Sequence, residues 1–192
     1  EKVGNSKLPL AANVYGTRAR VARALGVSEK DLVKHVSNRL KTRIQPAPFK
    51  GKARCQEVVM TGKDINVLEF PFPKWNVGDG GRYSTAGLVI AKHPELGWNL
   101  SYHRQQLLGP NTVGVATASD HQLCLTVDEG RARGERVEAA ILLGARPSVA
   151  LAAGSNFPTG DFELTVAGAL EQKPIEVVKC LTVDVSVPED TE

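Results

Sequence analysis

Apolar residues near the start of the chain recur at helical spacing. Thr17 stands at the N-cap position of a first segment, and Gly26 ends it. Ser28 stands at the N-cap position of a second segment, with Asp31 at the capping-box position three residues later. The apolar stripes of the two segments are Val21 and Leu25, and Leu32, Val33, Val36 and Leu40. The pattern predicts two short helices, followed by a linker with two prolines and a glycine.

Beyond this linker the pattern is typical of β-structure. Apolar, β-branched runs bounded by Gly, Pro and Asn predict strands in residues 55–60, 84–91, 98–106, 112–118, 136–144 and 174–187. The turn Leu-Gly-Pro-Asn-Thr predicts a hairpin between Trp98–Leu108 and Thr112–Ala118. Residues 121–131 and 162–172 are expected to be helical, the second with Phe162, Val166, Ala169 and Leu170 inward. Short strands with a few helices predict an α+β or β-barrel domain.

The composition is that of an ordinary globular protein. The chain has 192 residues, of which 42% are hydrophobic and 23% charged, enough for one domain with a small appendage. Its three cysteines, Cys55, Cys124 and Cys180, are far apart and form no CxxC pair, which favours a reducing compartment. A signal peptide and an apolar run of ~18 residues are both missing. We therefore predict a soluble, cytoplasmic protein with no membrane partner.

The charge distribution does not favour a nucleic-acid partner. The net charge is only +3, and part of the basic excess lies within the first 54 residues. Aromatic residues, on which single-stranded nucleic acid would stack, do not interleave with these cations. A solvated helix face is the better interpretation.

The segment NLSYHRQQL, residues 99–107, is unusually polar for a strand. In a regular strand, one face would carry Asn99, Ser101, His103 and Gln105, and the other Leu100, Tyr102, Arg104 and Gln106. Such a strand is either an exposed edge or the lining of a polar ligand site, with an arginine for an anion and an asparagine oxygen for a cation. Because alternation separates Asn99 from Arg104, a single site that uses both requires a bulge or a bend.

Three further side chains offer donors for a divalent metal. Together, the Asn99 oxygen, a His121 nitrogen and the Glu163 carboxylate suit Mn²⁺ or Mg²⁺. Each also has a simpler interpretation, since His121 could begin a surface helix capped by Ser119 or Asp120, and Glu163 suits the first turn of a helix. Their spacing does not show that they meet, and the chain has no nucleophile motif, P-loop or dinucleotide fingerprint.

The order of the motifs resembles that of the UbiD family of reversible decarboxylases, which use prenylated flavin mononucleotide (prenylated FMN). The matching segments are NVYGTRARVARALG, GRYSTAGLVI, the N-x-x-x-[YH]-R pattern within NLSYHRQQL, LGPN, LGARPSVALAA, FELTVAGAL and KPIEVVKCLTVDVSVP. The resemblance implies that residues 46–192 form a flavin-binding split β-barrel, like that of flavin reductases, with flanking helices. Residues 1–45 would then be part of an N-terminal α/β region and linker.

The resemblance also implies roles for individual residues. Asn99, His121 and Glu163 match the ligands of a manganese or magnesium ion that bridges to the flavin phosphate, often beside a potassium ion. The residues that match flavin-contacting positions are Tyr102, His103, Arg104, Thr117, Ala118, Asp120 and His121. Arg104 matches the arginine that holds the substrate carboxylate and is the expected catalytic residue. If one strand serves metal, flavin and carboxylate, a distortion is expected within Asn99–Arg104.

One family segment is missing from the sequence. The E-G-P-[FY]-G-[ED] motif that carries the proton donor does not occur in these 192 residues. We therefore expect the flavin-binding portion of a longer enzyme, inactive by itself, whose C-terminal domain, absent here, forms homo-oligomers. The intact enzyme would decarboxylate an aromatic, heteroaromatic or α,β-unsaturated acid, with its cofactor supplied by a flavin prenyltransferase.

Two alternatives remain open at this point. The first is an oxidoreductase that uses ordinary FMN on a split barrel, which needs no metal at Asn99 and Glu163. The second is an assembly module without catalysis, which would retain no flavin. The two alternatives and the decarboxylase therefore differ in the flavin and metal that they bind.

Overall fold

The computed structural model describes residues 6–191. Its helices are α1 (Arg18–Ala24), α2 (Leu32–Arg39), α3 (Gln122–Arg133), α4 (Pro147–Ala153) and α5 (Glu163–Glu171). Its strands are β1 (Ala47–Pro48), β2 (Tyr83–Ser84), β3 (Leu88–His93), β4 (Gly97–Tyr102), β5 (Gln105–Gly109), β6 (Thr112–Val115), β7 (Ala139–Leu142), β8 (Glu176–Lys179) and β9 (Ser186–Pro188). The expectations about the ends of the chain concern residues outside this range, and the predicted boundary at residues 45 and 46 stays a prediction.

The strands form three small sheets. Their orders are β4-β3-β7, β2-β5-β6 and β1-β8-β9, and β1 and β8 form the parallel pair while the other pairs are antiparallel. Together with the five helices, they confirm the predicted α+β class. Over residues 6–191 the sheets do not close into a barrel. No helix of that part of the chain is long and apolar enough to cross a membrane.

The main core lies between the β3–β4 sheet and helices α4 and α5. Leu88, Ile90 and Leu100 from the sheet and Leu164 and Val166 from α5 are at most 1% exposed. Burial of such side chains is the main stabilising contribution, ~1.5–3 kcal/mol for each. The packing of α5 against β4 positions the first residue of this helix beside the polar strand.

Helix α5 is more deeply buried than its sequence pattern predicted. All of residues 163–170 are buried, rather than a single face, because β4 and α4 cover one side and α2 with the Ile44 segment covers another. Helix α4 was not predicted at all. It begins at Pro147, which suits the first helical position because proline lacks an N–H.

The N-terminal helices follow the predicted pattern in part. Helix α1 begins after Thr17, whose side chain accepts a hydrogen bond from the Arg20 N–H, as predicted. Helix α2 is shorter than predicted, since Asp31 rather than Ser28 occupies its N-cap. Val33 is 58% exposed and does not belong to the inward stripe with Leu32.

Several strand predictions were wrong in extent. Residues 55–60 form no strand, and residues 54–56 instead make a short 3₁₀ turn followed by exposed chain. The segment 112–118 is a strand only to Val115, 136–144 only over β7, and 174–187 divides into β8 and the start of β9. The runs of β-forming residues continue past the points where partner strands stop, so pairing rather than propensity sets these ends.

The predicted long strand through the polar segment was also wrong, and the distortion expected there is present. Tyr102 ends β4 in one sheet and Gln105 begins β5 in another, so the predicted hairpin is reduced to β5 and β6. At the break, the buried Gln105 amide donates to the carbonyl oxygens of Gly87 and His103. These bonds satisfy carbonyls that a continuous strand would have paired in its ladder.

The contact between α5 and the linker depends on a glycine. A Cβ at Gly168 would lie 2.7 Å from the Ile44 carbonyl oxygen and 3.2 Å from that of Lys173. We expect Gly168→Ala to lower the free energy of unfolding by ~1–3 kcal/mol through overpacking, although alanine is the better helix former by ~1 kcal/mol. Thermal unfolding measures the change. Gly78→Ala, where a Cβ would have no neighbour within 4 Å, is the control, and equal melting temperatures for both variants would refute the close contact.

Candidate functional site

A polar cleft of about 410 Å³ opens where β4, the start of α3 and the start of α5 come together. Its lining residues are Asn99, Ser101, Tyr102, Asp120, His121, Gln122, Ala153, Gly154, Ser155, Asn156, Phe157, Pro158, Thr159, Asp161 and Glu163. Five residues predicted from the sequence are among them: Asn99, Tyr102, Asp120, His121 and Glu163. The cleft is rich in oxygen and nitrogen donors, which suits a polar ligand rather than an apolar one.

Glu163 is the buried carboxylate of this cleft. It is only 8% exposed, and its Oε2 accepts a hydrogen bond from the Leu100 N–H at 2.7 Å, while Oε1 accepts one from Asn99 Nδ2 at 3.1 Å. Burial raises the pKa of Glu163, although these hydrogen bonds oppose the shift. Within residues 6–191, no lysine, arginine or histidine forms an ion pair with it. A buried carboxylate without a cation is costly to ionise, and a bound metal would compensate it.

A chain of hydrogen bonds leads from Asn99 into the protein. The Ser101 hydroxyl lies 2.9 Å from Asn99 Oδ1 and 2.8 Å from His103 Nε2, and His103 Nδ1 lies 3.2 Å from the Ala116 carbonyl oxygen. His103 is 3% exposed, and burial lowers the pKa of its imidazole. The sequence analysis placed Ser101 on the same strand face as Asn99 but assigned it no role.

His121 also lines this cleft. It is exposed and occupies the N-cap of α3, so the expected capping of this helix by Ser119 or Asp120 was wrong. Its ring meets the His103 ring edge-on, with centroids 5.5 Å apart. Over residues 6–191, no three His, Cys, Asp or Glu side chains are grouped to hold a metal. The predicted ligand set contains only two residues of these types, His121 and Glu163, and its third member is an amide.

Tyr102 forms part of the cleft wall through close packing. The side chain is half-buried, and burial raises the pKa of its phenol. A Cβ at position 154 would lie 3.3 Å from Tyr102 Cε2, so Gly154 allows the ring to lie close against this loop.

Arg104, Thr117 and Ala118 lie outside this cleft. All three are exposed, and the Arg104 guanidinium has no hydrogen bond or ion pair with the rest of residues 6–191. The Arg104 carbonyl accepts a hydrogen bond from the Ala116 N–H at 3.1 Å, which places the segment beginning at Thr117 next to it. The break after Tyr102 thus leaves Arg104 outside the cleft that Asn99 lines.

One rim of the cleft is held by a cation that the sequence did not reveal. Arg43 forms an ion pair with Asp161 at 2.8 Å, and its guanidinium lies 5.5 Å from the centre of the Phe157 ring. Arg43 and Asp161 are 118 residues apart in the chain. A contact of this range leaves no periodic signal in a single sequence.

Almost the whole chain matches known protein families. Residues 48–192 match the family described as the 3-octaprenyl-4-hydroxybenzoate carboxy-lyase Rift-related domain, UbiD, and residues 1–40 match the N-terminal domain of the same enzymes. The chain belongs to the UbiD family. The resemblance predicted from the motifs is thereby confirmed, and this family is one of carboxy-lyases.

Known UbiD proteins share both sequence and structure with this chain. The uncharacterized protein sll0936 of Synechocystis is 30% identical and aligns with all of this chain but only 43% of its own length. The UbiD-class enzyme HmfF of Pelotomaculum thermopropionicum, in an evolved dimeric form in complex with prFMN, is 30% identical over 92% of this chain and 42% of its own, with a TM-score of 0.82. Vanillic acid decarboxylase of Sedimentibacter hydroxybenzoicus is 27% identical over 100% of this chain and 43% of its own, with a TM-score of 0.91. The chain thus spans less than half the length of these relatives.

Proposed function

We propose that this UbiD chain is the flavin-binding portion of a reversible, non-oxidative decarboxylase that uses prenylated FMN and a divalent metal. The observation that carries the proposal is the cleft that Glu163, Asn99 and His121 all line, with a buried carboxylate that no cation of residues 6–191 compensates. The structural relative HmfF was solved in complex with FMN and, in an evolved dimeric form, in complex with prFMN. The proposal includes the finer architecture expected from the family, a split β-barrel.

The donors of the cleft fit a hard divalent cation. Carboxylate and amide oxygens with one imidazole suit Mn²⁺ or Mg²⁺, and an added imidazole favours Mn²⁺ slightly. In this proposal Asn99, His121 and Glu163 would hold the metal, which would supply positive charge for the flavin phosphate, and a potassium ion is a further cation implied by the family resemblance. The metal would also offset the charge of the buried Glu163 carboxylate.

The segments next to the metal site are proposed to contact the flavin. These residues are Tyr102, His103, Arg104, Thr117, Ala118, Asp120 and His121. When bound, prenylated FMN would supply the electron sink for loss of CO₂. The contribution of this chain would be orientation. The metal ligands would fix the phosphate end, and Arg104, which has no ion pair within residues 6–191, would offer a bidentate fork to a substrate carboxylate.

Several finer features of the proposal follow from the family resemblance. The substrate would be an aromatic, heteroaromatic or α,β-unsaturated carboxylic acid, and a flavin prenyltransferase would supply the cofactor. Homo-oligomers would form through a C-terminal domain outside these residues. The cytoplasmic location and the absence of a nucleic-acid partner stay predictions.

Flavin and metal analysis of the purified protein tests the proposal. We expect mass spectrometry to find prenylated FMN and elemental analysis to find manganese or magnesium. Yellow, unmodified FMN together with NADH oxidation would instead indicate the flavin oxidoreductase. Absence of any flavin, even after addition of prenylated FMN and Mn²⁺, would indicate the assembly module.

The absence of the proton-donor motif from these residues leads to a second prediction. Because E-G-P-[FY]-G-[ED] does not occur in these 192 residues, we expect this chain by itself to release no CO₂ from aromatic acids, even with prenylated FMN and Mn²⁺ bound. Detection of released CO₂ by a coupled assay measures this. Turnover by the 192-residue chain would show that the protonation step does not depend on that motif.

A further inference from the structure

The hydrogen bonds around Asn99 cannot all have the donor and acceptor directions that the structure shows. Asn99 Nδ2 points toward Glu163 and Asn99 Oδ1 toward Ser101, so the single hydroxyl proton of Ser101 must be donated to Asn99. His103 Nε2, 2.8 Å from the same hydroxyl, must then be the donor to it. Every other direction in the network follows from the position of the imidazole proton.

The position of that proton is fixed at the far side of the ring. His103 Nδ1 faces the Ala116 carbonyl oxygen at 3.2 Å, and a carbonyl only accepts hydrogen bonds, so Nδ1 must carry a proton. A neutral imidazole has one proton, which leaves Nε2 as an acceptor. The ring is 3% exposed, and none of the carboxylates in residues 6–191 contacts it to stabilise an imidazolium.

With Nε2 as an acceptor, the directions along the chain reverse. Ser101 must donate to His103, and its oxygen can then only accept from Asn99. The Asn99 amide therefore directs its Nδ2 to Ser101 and its Oδ1 to Glu163. As a result, two acceptors, Asn99 Oδ1 and the Glu163 carboxylate oxygen, face each other. Two facing acceptors are unfavourable in the absence of a cation and are suitable ligands in its presence.

Building on the proposed function, we infer that Ser101 and His103 are positioning residues that turn the Asn99 carbonyl oxygen toward Glu163. The cleft then presents two oxygen ligands to a divalent cation instead of closing on itself through an Asn99–Glu163 hydrogen bond. The Ala116 carbonyl fixes the tautomer of the His103 imidazole. Ser101 donates to that imidazole and thereby fixes the orientation of the Asn99 amide. The specificity of the cleft for a cation thus originates outside the ligand set.

Removal of the Ser101 hydroxyl tests this inference. The ligand is Mn²⁺ alone, and its binding to the 192-residue chain is measured by calorimetry. In Ser101→Ala the amide is free to donate to Glu163, so we expect the Kd for Mn²⁺ to rise about 10–100-fold. Ser101→Thr keeps the hydroxyl and should bind within about twofold of the wild type.

The tautomer provides a readout that does not depend on metal. Nitrogen-15 NMR of histidine-labelled, metal-free protein at neutral pH should show His103 protonated at Nδ1 only, with the signal assigned by its loss in His103→Gln. An Nε2-protonated or doubly protonated ring would overturn the inference, as would equal Mn²⁺ affinity in Ser101→Ala while the wild type binds. Absence of Mn²⁺ binding by the wild type would overturn the proposed function as well, which distinguishes the two failures.

Discussion

Glu163→Gln is expected to abolish most metal and flavin binding while making the metal-free protein more stable. Glutamine has the same shape and can still accept the Leu100 N–H bond, but it carries no charge for a cation. Changes to residues that only support a metal ligand cost ~10–100-fold in affinity, and loss of a ligand should cost at least as much. Mn²⁺ affinity and retained flavin, measured on the same preparations, check the first part.

The stability gain should depend on pH in a defined direction. Burial raises the pKa of Glu163 above its ordinary value of 4.5, so the ionised carboxylate disfavours the folded state. This penalty is complete above the folded-state pKa and disappears as the pH falls below the unfolded-state value. The melting temperature of metal-free Glu163→Gln should therefore exceed that of the wild type at neutral pH, and the two should converge near pH 4.

An exposed carboxylate provides the matched control. Glu176 lies on β8 with an exposed side chain, and Glu176→Gln removes the same charge away from the cleft. We expect it to change metal affinity and melting temperature little. Wild-type flavin occupancy in Glu163→Gln would refute the metal assignment. A fall in flavin occupancy in both Glu163→Gln and Glu176→Gln would indicate an effect of net charge instead.

The second large effect is expected at Arg104 in the full-length enzyme. Arg104→Lys should retain the flavin, because the phosphate end is assigned to the Asn99 and Glu163 metal site. It should lose most decarboxylation, since lysine cannot offer the bidentate fork that orients a carboxylate. Loss of a charged hydrogen bond of ~1.5–3 kcal/mol corresponds to roughly a 10–150-fold fall in kcat/KM.

The exposure of Arg104 makes this test decisive. Its guanidinium has no partner in residues 6–191, which is equally expected of a surface residue. Arg18 on α1 is another exposed arginine. The control variant Arg18→Lys should leave flavin content and kcat/KM unchanged. Near-normal kcat/KM with normal flavin content in Arg104→Lys would show that Arg104 is an ordinary surface residue and remove the main reason to call it catalytic.

Local interactions explain which parts of the fold the sequence predicted. The Thr17 cap of α1 and the helical stretch that became α3 depend on residues within a few positions of each other, so they leave a pattern in one sequence. The ends of the strands were predicted poorly. A distortion within Asn99–Arg104 was expected, but the division of this segment between two sheets depends on a buried amide that bonds to Gly87, and such a contact has no sequence signature.

The sequence by itself determined the chemistry available to this protein, namely the family, the α+β class and the donor types at Asn99, His121 and Glu163. Only the tertiary structure decided which donors meet. Asn99 and Glu163 are 64 residues apart, and they come into contact because the apolar core packs α5 against β4. The same packing buries Glu163 without an ion-pair partner among residues 6–191, and the sheet break places Arg104 outside the cleft. Burial and long-range packing, which periodicity cannot encode, therefore determine where this chemistry is placed.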